Sequence, residues 1–176
     1  RQMCIRDRKE VSEPGVPGEL YAKSVAVFDT YYKSHDQYLE DHRDGYQTVG
    51  DIAYVDNEGY YFICDRKKDM IITGGFNVFA TEVESPILAL PEILECAVIG
   101  VPDEKWGELI KAIVVLNPGH MIDETDVIRV CRDKLGSVKT PKSVEFWDEI
   151  PKTAVGKTDK KVIRKKFWPE GDRAVN

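Results

Sequence analysis

The apolar positions of this chain change rhythm near residue 68. Upstream they fall in short aromatic and β-branched runs at 18–24, 53–55 and 60–64, each of which predicts a strand. Asp56-Asn57-Glu58-Gly59 joins the last two as a turn, its short polar residues and glycine suiting a tight reversal. Between residues 27 and 46 aromatics and charges mix without a period, which predicts a short helical or looped region. Asp65-Arg66-Lys67-Lys68-Asp69 then breaks the pattern before a strand at 70–73, which Gly74-Gly75 ends. Five charges between apolar strands predict a surface crossing between two bodies.

Downstream, helical and continuous apolar patterns alternate. Val83, Ile87 and Leu90 share one face of a helix over 82–90, which opens with acidic residues that oppose the helix dipole. Residues 95–101 (ECAVIGV) and 110–116 (IKAIVVL) are near-continuous apolar strands, and Asn117-Pro118-Gly119 turns the chain after the second. An amphipathic helix with an acidic start and a basic end covers 123–135. A short strand follows at 143–147, then a basic helix at 159–167. These elements amount to a small α+β domain of three main strands with helices packed on them.

Composition narrows the class. Charged residues make up 32% and hydrophobic ones 42%, as in an ordinary globular chain. A net charge of -6 argues against nucleic acid as the main partner. Cys4, Cys64, Cys96 and Cys131 are widely spaced, and His35, His42 and His120 have no spacing suited to a metal or a nucleophilic triad. No metal site is expected. Reduced thiols, with no signal peptide and no apolar run long enough to span a bilayer, point to the cytoplasm. Residues 1–8 show neither period nor motif. Together with the turn-rich 14–18, they lead to the expectation of an unstructured, partly spurious N-terminus over 1–16.

Several side chains could carry chemistry. Asp51 after Gly50 could cap a turn, or accept from both hydroxyls of a ribose. Arg66 offers a planar fork for sugar or phosphate oxygens, against the plainer reading of a surface ion pair with Asp65 or Asp69. Thr73-Gly74-Gly75 would let a ligand chain pass close to the backbone, or merely end a strand. Lys157 follows Gly156 on a Pro-initiated loop, where it is either a charge-neutralising group or the flank of the basic helix. Gly156-Lys157-Thr158 does not complete a P-loop, because Pro151 stands where that motif needs glycine.

Two motifs in order resemble the adenylate-forming superfamily, which comprises acyl-CoA synthetases, peptide-synthetase adenylation domains and luciferases. The first runs through Gly50-Asp51, Asp65-Arg66, Lys68, Thr73-Gly74-Gly75 and Glu82-Val83-Glu84; the second is Pro151-Lys152-Thr153-Ala154-Val155-Gly156-Lys157. The resemblance covers roughly residues 17–168. It implies that 17–67 end a large N-terminal domain as part of a distorted β-barrel, and that 68–176 form the mobile C-terminal domain. It further implies that Asp51 and Arg66 bind the nucleotide, Lys68 is the hinge, Thr73, Gly74 and Gly75 line the coenzyme A path, and Lys157 is catalytic. Val49 departs from the family, many members having threonine there.

The activity implied is conversion of a carboxylic acid, ATP and coenzyme A to acyl-CoA, AMP and pyrophosphate. Magnesium would be held mainly by an N-terminal domain that this chain lacks, so the chain alone is expected to be inactive. An acyl substrate would also permit peripheral contact with a membrane. Two other readings stay open: an adenylation domain that serves a carrier protein, and a non-catalytic anion-binding module built on the basic helix.

Overall fold

The computed structural model describes residues 2–6 and 9–168. The chain divides into two compact units, Arg1–Lys68 and Asp69–Asn176.

In the first unit, strands β1 (Gln2–Arg6), β2 (Lys9–Val11) and β3 (Gly18–Ala22) precede a short helix, α1 (His35–Glu40). Strands β4 (His42–Arg43), β5 (Tyr46–Val55) and β6 (Tyr61–Arg66) follow. They form a six-stranded antiparallel sheet in the order β2-β1-β3-β5-β4, with β6 also on β5. One edge of β5 runs along β3, and the other is shared by β4 at its start and β6 at its end. This sheet is what stands for the expected barrel segment; no closed barrel forms among the described residues.

Two expectations change here. Residues 2–6 and 9–11, expected to lack structure, are paired strands: β1 lies along β3, and β2 along β1. Strand pairing is made by backbone N–H and C=O groups, so an open strand edge can recruit an extended segment whose side chains show no pattern. The charged break also starts later than its composition suggests, since Asp65 and Arg66 still belong to β6 and Asp65 is buried. Only Lys67–Asp69 leave the strand, as one turn of 3-10 helix.

The second unit contains β7 (Ile71–Thr73), β8 (Phe76–Val78), α2 (Ala80–Leu88), β9 (Ile93–Asp103), β10 (Gly107–Leu116), α3 (Glu124–Leu135), β11 (Ser143–Phe146) and α4 (Lys160–Lys165). Its sheet has five strands rather than three. β8 was not expected, because three residues are too few to show a period; the two-residue turn at Gly74-Gly75 creates it by folding the chain back on β7. β10 is central. It pairs antiparallel with β9 along its whole length, with β7 at its start, and in parallel with β11 over Lys111–Val114.

The continuous apolar character of β9 and β10 has a physical cause: both faces are covered. Cys96, Val98, Ile110, Ala112 and Val114 meet Val83 and Ile87 of α2 and Val127 and Cys131 of α3 in one core. The alternate residues Ala97, Ile99, Ile113 and Val115 meet Ile150 and Ile163 of α4 in a second. At about 25 cal/mol per Å2 of apolar surface buried, each valine and isoleucine among them contributes about 1.5–3 kcal/mol before chain entropy is counted, and the alanines less. Among the described residues no helix is long and apolar enough to cross a membrane.

Candidate functional site

In the first unit, Gly50 adopts a positive φ of 78° and donates its N–H to Thr48 Oγ1 at 3.0 Å. This kink delivers Asp51 opposite Arg66 in the β5–β6 register. Directly paired residues of an antiparallel ladder project to the same side, so the carboxylate and the guanidinium start from neighbouring positions on one face. Asp51 is half-buried and Arg66 is exposed. Asp65 Oδ1 accepts from the Arg66 backbone N–H at 2.8 Å, and Asp69 is taken by Arg164, so neither of the two ion pairs considered for Arg66 forms. Among the described residues the Arg66 guanidinium has no carboxylate partner. Lys68, exposed, ends this unit within the 3-10 turn.

In the second unit, Thr73 pairs with Phe76 around Gly74 and Gly75, whose φ values of 56° and 82° are those of a tight hairpin that side-chain-bearing residues adopt at a cost. The two glycines have different surroundings. A Cβ on Gly74 would stand 2.6 Å from Trp106 Cε3, and the Gly74 N–H donates to the Trp106 carbonyl at 2.9 Å. A Cβ on Gly75 would meet nothing within 4 Å. Gly75 is therefore the open side of the turn, and Gly74 is the side covered by an indole.

Trp106 was not among the residues expected at this site. Asp103 Oδ1 accepts from the backbone N–H groups of Lys105 (3.0 Å) and Trp106 (2.8 Å), and this turn sets the ring over Gly74. Glu108 was missed as well. Its buried carboxylate accepts from Ile72 N at 2.8 Å, beneath Gly100, and so fixes β7 to β10. A glycine pair followed some 30 residues later by Asp-x-x-Trp-Gly-x carries no local period that would have linked the two.

Lys157 sits on a loop whose geometry comes from its own backbone. Lys152 and Thr158 form a bridge at the base, and Asp159 N donates to the Pro151 carbonyl at 2.8 Å. Nearer the tip, Thr153 N donates to the Lys157 carbonyl (2.7 Å), and Gly156 N to the Thr153 carbonyl (2.8 Å). Lys157 N donates to Thr153 Oγ1 at 3.2 Å. Gly156 takes the left-handed conformation that closes the turn. The backbone is thus tied while the tip stands in solvent, with Val155 78% exposed. Lys152, at the base, pairs with Glu95. Among the described residues the Lys157 ammonium has no side-chain or backbone partner. A fixed backbone carrying an uncommitted cation can neutralise charge on a ligand brought to it.

The basic helix after this loop differs from expectation. Lys160, Lys161, Arg164, Lys165 and Lys166 read as a solvated face, yet Lys166 Nζ stands 3.7 Å from the centroid of the Trp147 ring and two others are held in ion pairs. Lys160 Nζ lies 2.7 Å from Glu84 Oε1, the two side chains being 14% and 15% exposed. Arg164 pairs with Asp69, at 15% and 13%. Residues four apart in a helix lie on one face, and here that face turns inward, with Ile163 fully buried beside it. Glu82 and Glu84 likewise hold the fold. Glu82 accepts from Phe79 N (3.0 Å) and from Lys139 Nζ (2.6 Å), and Glu84 Oε1 also accepts from Val98 N (2.8 Å). Among the described residues no group of three or more His, Cys, Asp or Glu side chains is placed to hold a metal ion.

Known proteins share this architecture. Residues 82–157 match the model of the AMP-binding enzyme C-terminal domain. A medium/long-chain-fatty-acid–CoA ligase of Mycobacterium tuberculosis is 39% identical over 168 residues, which are 92% of this chain and 29% of that protein. A feruloyl-CoA synthase of an Amycolatopsis species is 43% identical over 154 residues, 88% of this chain and 31% of that one. The crystal structure of ATP-bound MatB from Rhodopseudomonas palustris superposes with a TM-score of 0.88 at 36% identity, over 97% of this chain and 34% of that one. The chain thus spans about a third of the length of the relatives it matches. Residues 82–157, matched by the family's own model, thus carry the AMP-binding enzyme C-terminal domain, and over most of its length the chain is similar to parts of CoA ligases and synthases.

Proposed function

We propose that this chain is the part of an AMP-forming acid–thiol ligase that brings a catalytic lysine to the nucleotide and later withdraws it. In the first half-reaction a carboxylate oxygen bonds to the α-phosphorus of ATP and the bond to pyrophosphate breaks. Negative charge crowds that transition state, and Lys157 neutralises it. Asp51 accepts hydrogen bonds from the ribose hydroxyls, and Arg66 presents its fork to sugar or phosphate oxygens at the unit boundary. In the second half-reaction the thiol sulfur of coenzyme A bonds to the acyl carbon and AMP leaves. The second unit pivots at Lys68, Lys157 departs, and the open face of Thr73-Gly74-Gly75 lines the path of the coenzyme A arm.

On this reading residues 1–16 lie outside the family pattern, 17–67 are the last part of the large N-terminal domain and 68–176 form the mobile C-terminal domain. The acid is left open, and this chain by itself is inactive. One observation carries the proposal: the Lys157 ammonium, without a partner among the described residues, stands on a loop whose backbone is closed by its own hydrogen bonds.

The test is acid-dependent ATP–pyrophosphate exchange by the gene extended upstream to the length of its relatives. Lys157→Ala is expected to lower exchange about 10²–10³-fold, the cost of removing one preorganised charge-stabilising group. Exchange that survives the substitution refutes the role.

A further inference from the structure

Helix α4 begins three residues after Lys157 and is bonded at two points to parts of the second unit distant in sequence. Lys160 reaches Glu84 on α2, and Arg164 reaches Asp69, the residue that follows Lys68. The loop is joined to the helix without slack. Asp159 both closes the loop base, through its N–H to the Pro151 carbonyl, and caps the helix, through its carboxylate to Val162 N at 3.2 Å. Loop, helix and the first residue after Lys68 are therefore one mechanical element.

These pairs are a poor choice for stability alone. Both are largely withdrawn from water, where the cost of desolvating two charges commonly cancels their attraction. Arg164 Nε is also buried without a hydrogen-bond partner. An apolar contact in the same place would hold the helix at less cost. It would not set a helix's rotation and register as an ion pair with one geometry does.

We infer that Arg164 is a positioning residue for adenylation. Through Asp69 it fixes the Lys157 loop relative to the pivot, so that a rotation at Lys68 carries the ammonium to one defined place; Lys160–Glu84 provides the second point that prevents α4 from turning about the first. The inference rests on the proposed roles of Lys157 and Lys68. It adds that the loop's aim is set from the far side of the domain. A misplacement near 1 Å in such a group can cost about 10²-fold in rate.

The experiment uses the full-length enzyme and measures the two half-reactions separately: ATP–pyrophosphate exchange, and thioester formation from supplied acyl-adenylate and coenzyme A. Arg164→Met is expected to lower the kcat of exchange by about 10²-fold with little change in KM for ATP, and to leave thioester formation within a few-fold of the parent. Arg164→Lys, which keeps a cation opposite Asp69, is expected to recover most of the exchange. If Arg164→Met does not accumulate folded, Asp69→Asn removes the same pair with a smaller change in volume and is read in the same way. Equal losses in both half-reactions would reduce the pair to a structural tie and overturn the inference, as would unchanged exchange. Lys157→Ala, measured alongside, separates the two ideas. If it leaves exchange intact, the function proposed for the loop is wrong. If it abolishes exchange while Arg164→Met does not impair it, only the positioning role is wrong.

Discussion

The two glycines of the β7–β8 turn offer a test in which the same substitution at adjacent residues should have different costs. Alanine at Gly75 must hold a φ of 82° but meets no neighbour, so only the left-handed backbone opposes it, at about 1–2 kcal/mol. Alanine at Gly74 carries a similar backbone cost and also places Cβ at 2.6 Å and 2.9 Å from Trp106 Cε3 and Cζ3. The ring must move. Because Trp106 is already 47% exposed, it can swing outward instead of straining the hairpin, losing part of its contact with the turn. Returning roughly 50 Å2 of aromatic surface to water costs about 1–2 kcal/mol at 25–30 cal/mol per Å2, and Gly74→Ala should total about 2–4 kcal/mol. Urea denaturation of the 176-residue chain followed by circular dichroism measures both. In a Trp106→Ala background the extra cost at Gly74 should vanish, leaving the two alanines nearly equal. Equal costs in the parent background, or a Gly74 penalty that persists without the indole, would refute the assignment of Trp106 as the group that covers the turn.

Glu84→Ala, which strands Lys160 in a mostly buried site and frees Val98 N, should destabilise the chain by about 3–5 kcal/mol, whereas Glu95→Ala at the exposed Lys152 pair should cost less than about 1 kcal/mol; urea midpoints decide. The hydrogen bond from Lys111 Nζ at 2.9 Å holds the Glu145 carboxyl below its ordinary value, despite a partial burial that pushes the other way. Its contribution is therefore present above the unfolded value of about 4.3 and lost as pH falls through the lower folded one. With the carboxylate 41% exposed the effect stays below about 1 kcal/mol, and the stability difference between parent and Glu145→Gln should close between pH 5 and pH 3. Burial raises the thiol of Cys96 well above its normal range and that of Cys131 to about 11. Peptide mapping after thiol labelling at pH 8 should therefore find Cys64 modified in the native chain, and Cys96 and Cys131 only once urea unfolds it.

Much of the second unit could be read from the residues, because its signals are local. The runs around Val98 and Val114 are apolar at every position for the same reason that they are strands covered on both faces, and the acidic start of α3 supplies its own cap, Asp123 accepting from Asp126 N at 2.9 Å. What escaped were relations between distant residues. Lys160 and Arg164 look solvated in a basic run, and nothing nearby shows that their partners stand at Glu84 and Asp69. Trp106 and Gly74 meet only because Gly107 pairs with Thr73 across the start of β10. β1 and β8 are strands of circumstance, made by an available edge and a tight turn rather than by composition. The candidate site divides the same way: Asp51, Arg66 and Lys157 were singled out as candidates by motif, whereas the pairs Lys160–Glu84 and Arg164–Asp69 beside the Lys157 loop carry no motif.

The parallel pairing of β10 with β11 sets an order on how the chain comes together. Neighbouring antiparallel strands can zip from a turn, but a parallel partner must travel the length of the sheet and return, so residues 117–142 have to compact before Val144 can dock beside Ala112. Closing that loop is an entropic toll met before any reward. The hairpin of β9 and β10 can form early. β11 on its edge of β10, and then α4 on the sheet face formed by Ala97, Ile99, Ile113 and Val115, are expected to settle late, so the segment bearing Lys157 should be among the last to find its place when a newly made chain folds.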